Sequence, residues 1–243
     1  MNAEFKVVKS DGTRSPIDLD KIHRMVEKAC RGLAGVSASH VEMNSGLQFY
    51  DGITTKDIQQ ILVKSASDLI SLESPNYQFV ASRLLLFTVQ KQVFNTKWKD
   101  KRVDDALSEI YPPLNEIIKR NIDHGVYDGD VLTHYTAEEI LTCNKFIKHS
   151  RDLDFTYAGL QQIVDKYLVQ DRSTGTLFET PQFMYMLIAM TLFRNYGENR
   201  LDYVQRYYDA ISQFKINIPT PIMAGVRTPL RQFASCVLVD SAD

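Results

Sequence analysis

The chain has 243 residues, of which 44% are hydrophobic and 24% are charged, and its formal net charge is −2 at pH 7. This composition is typical of a globular protein and excludes a disordered chain, and the small net charge gives no bulk argument for binding nucleic acid or an anionic membrane. The N-terminal sequence lacks the apolar segment of a signal peptide, and no apolar stretch is long enough to span a bilayer. The three cysteines and five histidines show no disulfide or metal-ligand spacing. We therefore expect a cytoplasmic protein without a metal site.

The first predicted unit covers residues 1–95. The sequence FKVVKSDGTRSPIDL has two short extended runs around Asp11-Gly12, a dipeptide that favours a hairpin. Apolar residues recur at helical spacing over residues 19–33. A capping pattern at residues 54–57 begins a second helix, and Ser74-Pro75 begins a third helix that includes YQFVASRLLLFTVQKQVF. Together these patterns predict a β-hairpin that caps a helical bundle.

Residues 96–218 begin at a charged junction, NTKWKDKRVDD, and are predicted to be mostly helical. A capping-box pattern at residues 136–139 precedes an apolar periodic run, and YLVQDRSTGTLFET predicts a hairpin around Ser173-Thr174-Gly175. The sequence after Thr180-Pro181 is apolar on nearly every side of a helix, which predicts a buried helix. A last helix is predicted from about residue 201 to residue 214.

The C-terminal residues 219–243 combine a proline-rich segment with an apolar run. Prolines at positions 219, 221 and 229 predict a constrained loop without regular helix, because proline lacks the N–H that a helix interior needs. The run FASCVLV, which carries Cys236, predicts a buried strand. Such a strand needs a sheet around it, and few residues follow it before Asp243. The run therefore indicates the beginning of a larger core.

Three lysines are candidates for binding phosphate groups. Lys9 lies beside the hairpin turn and Lys21 lies at the beginning of a helix, where charge and backbone N–H groups favour an anion, and Lys91 would join them if the bundle folds back. A solvated hairpin with ordinary surface lysines is the simpler interpretation, because the chain has no glycine-rich phosphate loop. The histidines have no acid or nucleophile at a telling spacing and are interpreted as structural.

Cys236 and Thr220 each leave two interpretations open. A single cysteine on an apolar strand is usually a small buried hydrophobic residue, and the alternative is a redox-active or nucleophilic thiol, which needs solvent access and a suitable pKa. The hydroxyl of Thr220 either hydrogen-bonds its own backbone, as turn threonines do, or binds a ligand oxygen.

Taken together, several stretches resemble two known families. VVKSDGTRSPIDLDKIHRMV, QFYDGITTKDIQQILVKSASDLI and SPNYQFVASRLLLFTVQKQVF resemble the ATP cone, a nucleotide-sensing module, in the same order. KYLVQDRSTGTLFETPQF and KINIPTPIMAGVRTPLRQFASCVLV resemble the large subunit of class I ribonucleotide reductase in its aerobic bacterial and bacteriophage form. The resemblance covers essentially the whole chain.

The resemblance implies a mainly α fold with small β elements. It predicts an ATP cone over residues 1–95, a helical N-terminal domain over residues 96–218, and over residues 219–243 the first strand of a ten-stranded α/β barrel. We expect another polypeptide to complete this barrel. The chain would then be an engineered fragment, a truncated product or one half of a naturally split subunit.

The family reduces ribonucleoside diphosphates by thiyl-radical chemistry, and the resemblance implies the following roles. Cys236 matches the first member of the redox-active cysteine pair, Thr220 and Ser235 match substrate-binding positions, and Asp243 falls where the site for a specificity effector begins. The implied partners are a complementary C-terminal polypeptide, a small subunit that supplies a di-iron tyrosyl radical, and thioredoxin or glutaredoxin. The isolated chain is expected to be inactive.

The resemblance also implies an allosteric site for ATP or dATP in the cone. Its residues would be Val7, Lys9, Ser15, Asp18, Lys21, Thr55 and Lys91. Ser10 and Ser15 stand where an arginine and a glutamate are common, and Gln59 stands where a histidine is tied to inhibition by dATP. These departures predict weak binding of dATP and no inhibition of the enzyme by dATP.

Two other functions compete with the reductase interpretation. A stand-alone regulator that senses nucleotides through an ATP cone would carry a zinc-binding cysteine cluster before the cone, and this chain has none. It would also leave the helical segment and Cys236 without a role. An inert remnant would fold but assemble with no other chain.

Overall fold

The computed structural model describes residues 5–46, 48–94, 111–236 and 238. Two compact units form within them. The first comprises the residues up to Val89 together with Leu153–Gln162, and the second comprises Gln90–Asp152 together with the residues from Ile163 onward. Each is mainly helical and carries a two-stranded antiparallel hairpin, so the coarse fold class is confirmed. The predicted boundaries at residues 95 and 218 stay a prediction.

The described chain has the following helices and strands. In chain order they are β1 (Lys6–Val8), β2 (Arg14–Pro16), α1 (Leu19–Cys30), α2 (Ala38–Gly46), α3 (Thr55–Asp68), α4 (Tyr77–Phe94), α5 (Leu114–Asp123), α6 (Asp130–His134), α7 (Ala137–Phe146), α8 (Tyr157–Gln162), β3 (Gln170–Asp171), β4 (Thr176–Leu177), α9 (Pro181–Phe193), α10 (Arg200–Ser212) and α11 (Thr220–Gly225). Short 3-10 helices cover His149–Asp154 and Gly197–Asn199, and a π-helix covers Ile163–Tyr167. None of the described helices is long and apolar enough to cross a membrane.

The first unit contains the predicted hairpin, the first two predicted helices and the third helix as far as Val89. Strands β1 and β2 pair in antiparallel register, with Gly12 at φ +79° in the turn, where a side chain would be strained. Helices α1 and α3 bury apolar stripes, and α4 begins two residues after Pro75. The apolar pattern does not predict helix α2, because one of its two buried residues, Val41, is apolar and the other, Ser45, is polar.

Helix α9 forms the centre of the second unit. Its first ten residues, Pro181–Met190, are all buried, as the sequence predicts for a helix that is apolar on nearly every side. The capping box on Thr136 and Glu139 and the hairpin β3–β4 are also confirmed. Helix α10 begins at Arg200, one residue before its predicted beginning.

The prediction of a loop without helix at the prolines is wrong. Thr220–Gly225 form helix α11, and Pro221 lies in its first turn. The first N–H groups of a helix have no intrahelical acceptor, so proline is tolerated there and its fixed φ favours the turn. Pro219 precedes the helix and Pro229 follows it.

The buried strand predicted for the apolar run is absent from the described part of that run. Residues 231–236 have no regular secondary structure and are exposed, and Leu238 is 96% exposed. A strand is stabilised by hydrogen bonds to a neighbouring strand, and no strand of the described residues pairs with this run. Position 237 and positions 239–243, with Asp243, lie outside the described residues, as does the predicted junction at 95–105.

Candidate functional site

The hairpin of the first unit carries several of the predicted nucleotide-site residues. Val7 is buried and lies opposite Ser15 in the strand register, while Lys9 follows β1 and is exposed. The turn is stabilised by Asp11, whose carboxylate accepts hydrogen bonds from the Thr13 hydroxyl at 2.6 Å and the Thr13 N–H at 2.9 Å. These two hydrogen bonds lower the pKa of Asp11. The hairpin therefore holds Val7 and Ser15 in fixed positions.

The N-terminus of α1 directly follows this hairpin. The Ile17 N–H donates to the Phe5 carbonyl at 2.9 Å, and Asp18 then caps the helix by accepting from the Lys21 N–H at 2.8 Å. Asp18 thus has a structural role as the cap, and the exposed Lys21 lies in the first turn of α1. The hairpin and this first turn are consecutive in the chain and hydrogen-bonded together.

The N-terminus of α3 lies against the other edge of β1. Val8 forms a parallel bridge with Thr54, and its N–H donates to the Ile53 carbonyl at 2.9 Å. Thr54 caps α3 by accepting from the Asp57 N–H at 3.0 Å, which leaves Thr55 as the first helical residue. Two helix N-termini therefore meet at one hairpin, and such ends favour bound anions.

The structure thus places six of the seven predicted nucleotide-site residues on the hairpin or on the two helix N-termini beside it. The seventh, Lys91, lies in the last turn of α4, within the second unit. Ser10 lies in the hairpin turn and Gln59 lies in the second turn of α3. The use of these residues for binding a nucleotide stays a prediction.

In the second unit, Thr220 is the first residue of α11 and is exposed. Its hydroxyl lies 3.2 Å from the phenol oxygen of Tyr167, the last residue of the π-helix. Sequence reasoning singled out Thr220 but missed Tyr167, which lies 53 positions earlier in the chain.

A buried ion pair fixes the segment that contains α11. The side chains of Arg227 and Glu179 are both fully buried and form hydrogen bonds through two guanidinium nitrogens. Glu179 also accepts from the Tyr127 hydroxyl and from the Val169 N–H at 2.8 Å. Burial lowers the pKa of Arg227, but Glu179 and, to a smaller extent, Tyr127 together more than offset this effect, and the pKa is raised. Burial also raises the pKa of Tyr127.

Further contacts fix the chain on both sides of Arg227. Its guanidinium donates to the carbonyl of Met223 in α11 at 2.6 Å and to the carbonyl of Tyr167 at 2.8 Å. Its own carbonyl accepts from the Asp128 N–H at 2.9 Å. The exposed Arg231 donates to the carboxylates of Asp128 at 2.5 Å and Asp130 at 3.1 Å. The chain is therefore held in place from α11 to Arg231.

Sequence reasoning missed the Arg227–Glu179 pair. The available signal was a single charged residue within an otherwise uncharged segment, Arg227 in AGVRTP and Glu179 in FETPQF. The two residues are 48 positions apart, and nothing in the sequence indicates that they pair.

Ser235 and Cys236 lie beyond this fixed segment, and both are exposed. The Ser235 hydroxyl is 3.7 Å from the Cys236 sulfur, and the thiol is free. No hydrogen bond joins either residue to Thr220 in the described part of the chain. The structure therefore keeps Ser235 and Cys236 adjacent but does not link them to the other predicted substrate-binding residue, Thr220. The described residues also contain no cluster of histidine, cysteine and carboxylate side chains that could hold a metal ion.

Comparison with known families gives two matches that cover separate parts of the chain. Residues 5–92 match the ATP cone domain, and residues 153–231 match the all-alpha domain of ribonucleotide reductase. The first match contains the hairpin with its two helix N-termini. The second contains Tyr167, Thr220 and the Arg227–Glu179 pair.

Curated relatives extend the similarity to the whole chain. It is 47% identical over 245 aligned residues to the ribonucleoside-diphosphate reductase 1 subunit alpha of Salmonella typhimurium, and 48% identical to the subunit alpha of Haemophilus influenzae. Over 98% of its length it is 41% identical to the subunit alpha of Enterobacteria phage T4. The chain spans about 30% of the length of these relatives. It therefore matches the N-terminal part of the large, or alpha, subunit of ribonucleotide reductase, with its ATP cone domain.

Proposed function

We propose that this chain is the N-terminal part of a ribonucleoside-diphosphate reductase large subunit and contributes one redox-active cysteine, two substrate-binding hydroxyls and a regulatory nucleotide site. The observation that carries the proposal is the similarity over the whole chain to reductase alpha subunits, which includes the segment from Thr220 to Cys236. In the assembled enzyme the 2′-hydroxyl of a ribonucleoside diphosphate leaves as water and is replaced by hydrogen. Two thiols supply the two electrons and two protons and become a disulfide.

Cys236 is the cysteine of this chain that suits the redox role. It is exposed, whereas burial raises the pKa of Cys30 to about 11 and that of Cys143 to about 12. Thiol–disulfide exchange proceeds through the thiolate, and so it is disfavoured at both of these buried or half-buried positions. The second cysteine of the pair belongs to the remainder of the large subunit, which also encloses the exposed segment around Cys236.

Thr220 and Ser235 bind the substrate in this proposal. The exposed Thr220 hydroxyl donates to the diphosphate, and Ser235, which neighbours Cys236, binds the substrate beside the reacting thiol. Arg227 and Glu179 hold α11, and with it Thr220, in place before the substrate arrives. Such pre-organisation lowers the entropic cost of binding.

The ATP cone binds ATP or dATP as an effector at the hairpin of the first unit. Val7, Lys9 and Thr55 lie around the two helix N-termini, and Lys21 adds a positive charge at one of them. The further partners are a small subunit, which supplies the di-iron tyrosyl radical, and thioredoxin or glutaredoxin as the reductant. The enzyme works in the cytoplasm.

The proposal is tested by reconstitution. The isolated chain mixed with the small subunit should not reduce a ribonucleoside diphosphate, and turnover should appear when the remainder of the large subunit is added. Cys236→Ser should abolish multiple turnovers in this mixture while its thermal unfolding stays close to that of the unchanged chain. Turnover by the chain and the small subunit alone, or repeated turnover by Cys236→Ser, would contradict the proposal.

A further inference from the structure

Tyr167 ends a π-helix, an uncommon winding that occurs frequently at functional sites. Nearby side chains bind the carbonyl groups of this segment. Gln170 donates to the Val164 carbonyl at 3.0 Å, and Arg172 donates to the Asp165 carbonyl at 2.8 Å. The winding that orients Tyr167 is therefore supported by dedicated polar contacts.

The buried Arg227 ties Tyr167 to the helix that carries Thr220. One guanidinium nitrogen donates to the Tyr167 carbonyl at 2.8 Å and another donates to the Met223 carbonyl of α11 at 2.6 Å. Because Arg227 is fully buried and paired with Glu179, both backbone segments are fixed relative to one another. The 3.2 Å distance between the Tyr167 and Thr220 hydroxyls follows from this arrangement.

The two hydroxyls meet where Thr220 is exposed and Tyr167 is half-buried. Each hydroxyl has one hydrogen to donate, and when one donates to the other, the second donor is left for water or a ligand. When both hydroxyls turn their hydrogens toward a ligand instead of toward each other, an anion with several acceptor oxygens accepts from both at once. Its negative charge strengthens each hydrogen bond relative to a neutral acceptor, so the pair suits a phosphate group.

We propose that Tyr167 is a second substrate-binding residue, whose phenol hydroxyl donates to the same diphosphate of the ribonucleotide as Thr220. This inference rests on the proposed function, because that function places the diphosphate at Thr220. A hydrogen bond to a charged group contributes enough binding free energy to change an affinity about tenfold or more.

The test uses the reductase assembled from this chain, the remainder of the large subunit and the small subunit. Tyr167→Phe removes one oxygen and keeps the ring, and it should raise KM for a ribonucleoside diphosphate about tenfold while kcat stays nearly unchanged. Tyr203→Phe is the matched control, since this tyrosine lies on α10 and has no hydrogen bond to Thr220 or Arg227; its KM should not change. Thermal unfolding of both variants should match that of the unchanged protein.

Thr220→Val separates this inference from the proposed function. If Thr220→Val leaves KM unchanged, the substrate role of Thr220 is wrong, and the inference is overturned with it. If Thr220→Val raises KM and Tyr167→Phe does not, the inference alone is overturned. In the Thr220→Val background, Tyr167→Phe should raise KM further. No further rise would mean that Tyr167 only orients Thr220, which would also overturn direct binding by Tyr167.

Discussion

At the scale of single residues, the Arg227–Glu179 ion pair has a direct consequence for stability. Each side chain is fully buried, and an ionised group is tolerated in such a place when its charge and hydrogen bonds are satisfied by a partner. Removing one partner leaves the other charge buried without compensation.

We therefore expect Arg227→Met to lower the free energy of unfolding by about 3–5 kcal/mol. Arg206→Met is the control, because Arg206 forms an exposed pair with Asp202 within α10, and its loss should leave stability nearly unchanged. Urea unfolding followed by circular dichroism measures both. The double variant Arg227→Met/Glu179→Gln should recover part of the loss, and equal stabilities for Arg227→Met and Arg206→Met would contradict this account.

His23 provides a second residue-scale prediction, in the first unit. Its ring lies 2.8 Å from Glu42 and 3.3 Å from Glu27, and the hydrogen bond to Glu42, followed by its charge, raises the pKa of His23 above the usual 6.5. A raised folded-state pKa means that the imidazolium stabilises the unit below pH 6.5, and that this stabilisation is lost as the pH rises through the folded-state pKa.

An NMR titration should therefore give His23 a pKa above 6.5, and Glu42→Gln should bring that pKa down. Because His23 is largely exposed, the effect on stability should be small and should shrink in high salt. A titration of His23 that is the same with and without Glu42 would show that the α1–α2 contact has no electrostatic role.

At the scale of elements, local signals explain what the sequence predicts well. Asp11-Gly12 predicts the first hairpin because glycine adopts the positive φ of the turn, and Thr136 with Glu139 predicts the cap of α7 because both hydrogen bonds lie within one turn. Helix α11 was missed because proline disrupts the interior of a helix but is tolerated in the first turn, where Pro221 lies. The contacts of Tyr167 and Arg227 could not be predicted, because they join residues about 50 positions apart.

The element-scale prediction concerns the hairpin and the N-terminus of α3. Ser15 and Gln59 replace side chains that the family resemblance associates with dATP, and a lost hydrogen bond to a charged ligand costs about 1.5–3 kcal/mol. Calorimetry should therefore show weak binding of dATP, and the assembled enzyme should keep its activity at dATP concentrations that stop typical relatives. The variant Ser15→Glu/Gln59→His should bind dATP more tightly. Tight binding by the unchanged chain would contradict this prediction.

At the scale of the whole molecule, the exposed Cys236 allows the proposed assembly with another polypeptide to be tested. A thiol-alkylating reagent should modify Cys236 rapidly in the folded chain, while the buried Cys143 should react after unfolding and the half-buried Cys30 should react slowly. Adding the remainder of the large subunit should protect Cys236 from the reagent. Mass spectrometry identifies the modified cysteine, and Cys236→Ser is the control. Unchanged labelling in the mixture would show that the chain does not assemble around this segment.

The contacts of Arg231 with Asp128 and Asp130 set a geometric limit on the proposed disulfide of Cys236. Arg231 is the last residue that an ion pair anchors in the described chain, and Cys236 follows it by five positions. A fully extended peptide advances at most about 3.6 Å per residue, so the Cα of Cys236 lies within a sphere of about 18 Å radius centred on the Cα of Arg231. A disulfide joins two Cα atoms at most about 6.8 Å apart, so the Cα of the second cysteine of the proposed disulfide must lie within about 25 Å of the Cα of Arg231. Any candidate for the remainder of the subunit can therefore be judged by where its own cysteine lies when it is docked against the Asp128–Asp130 segment.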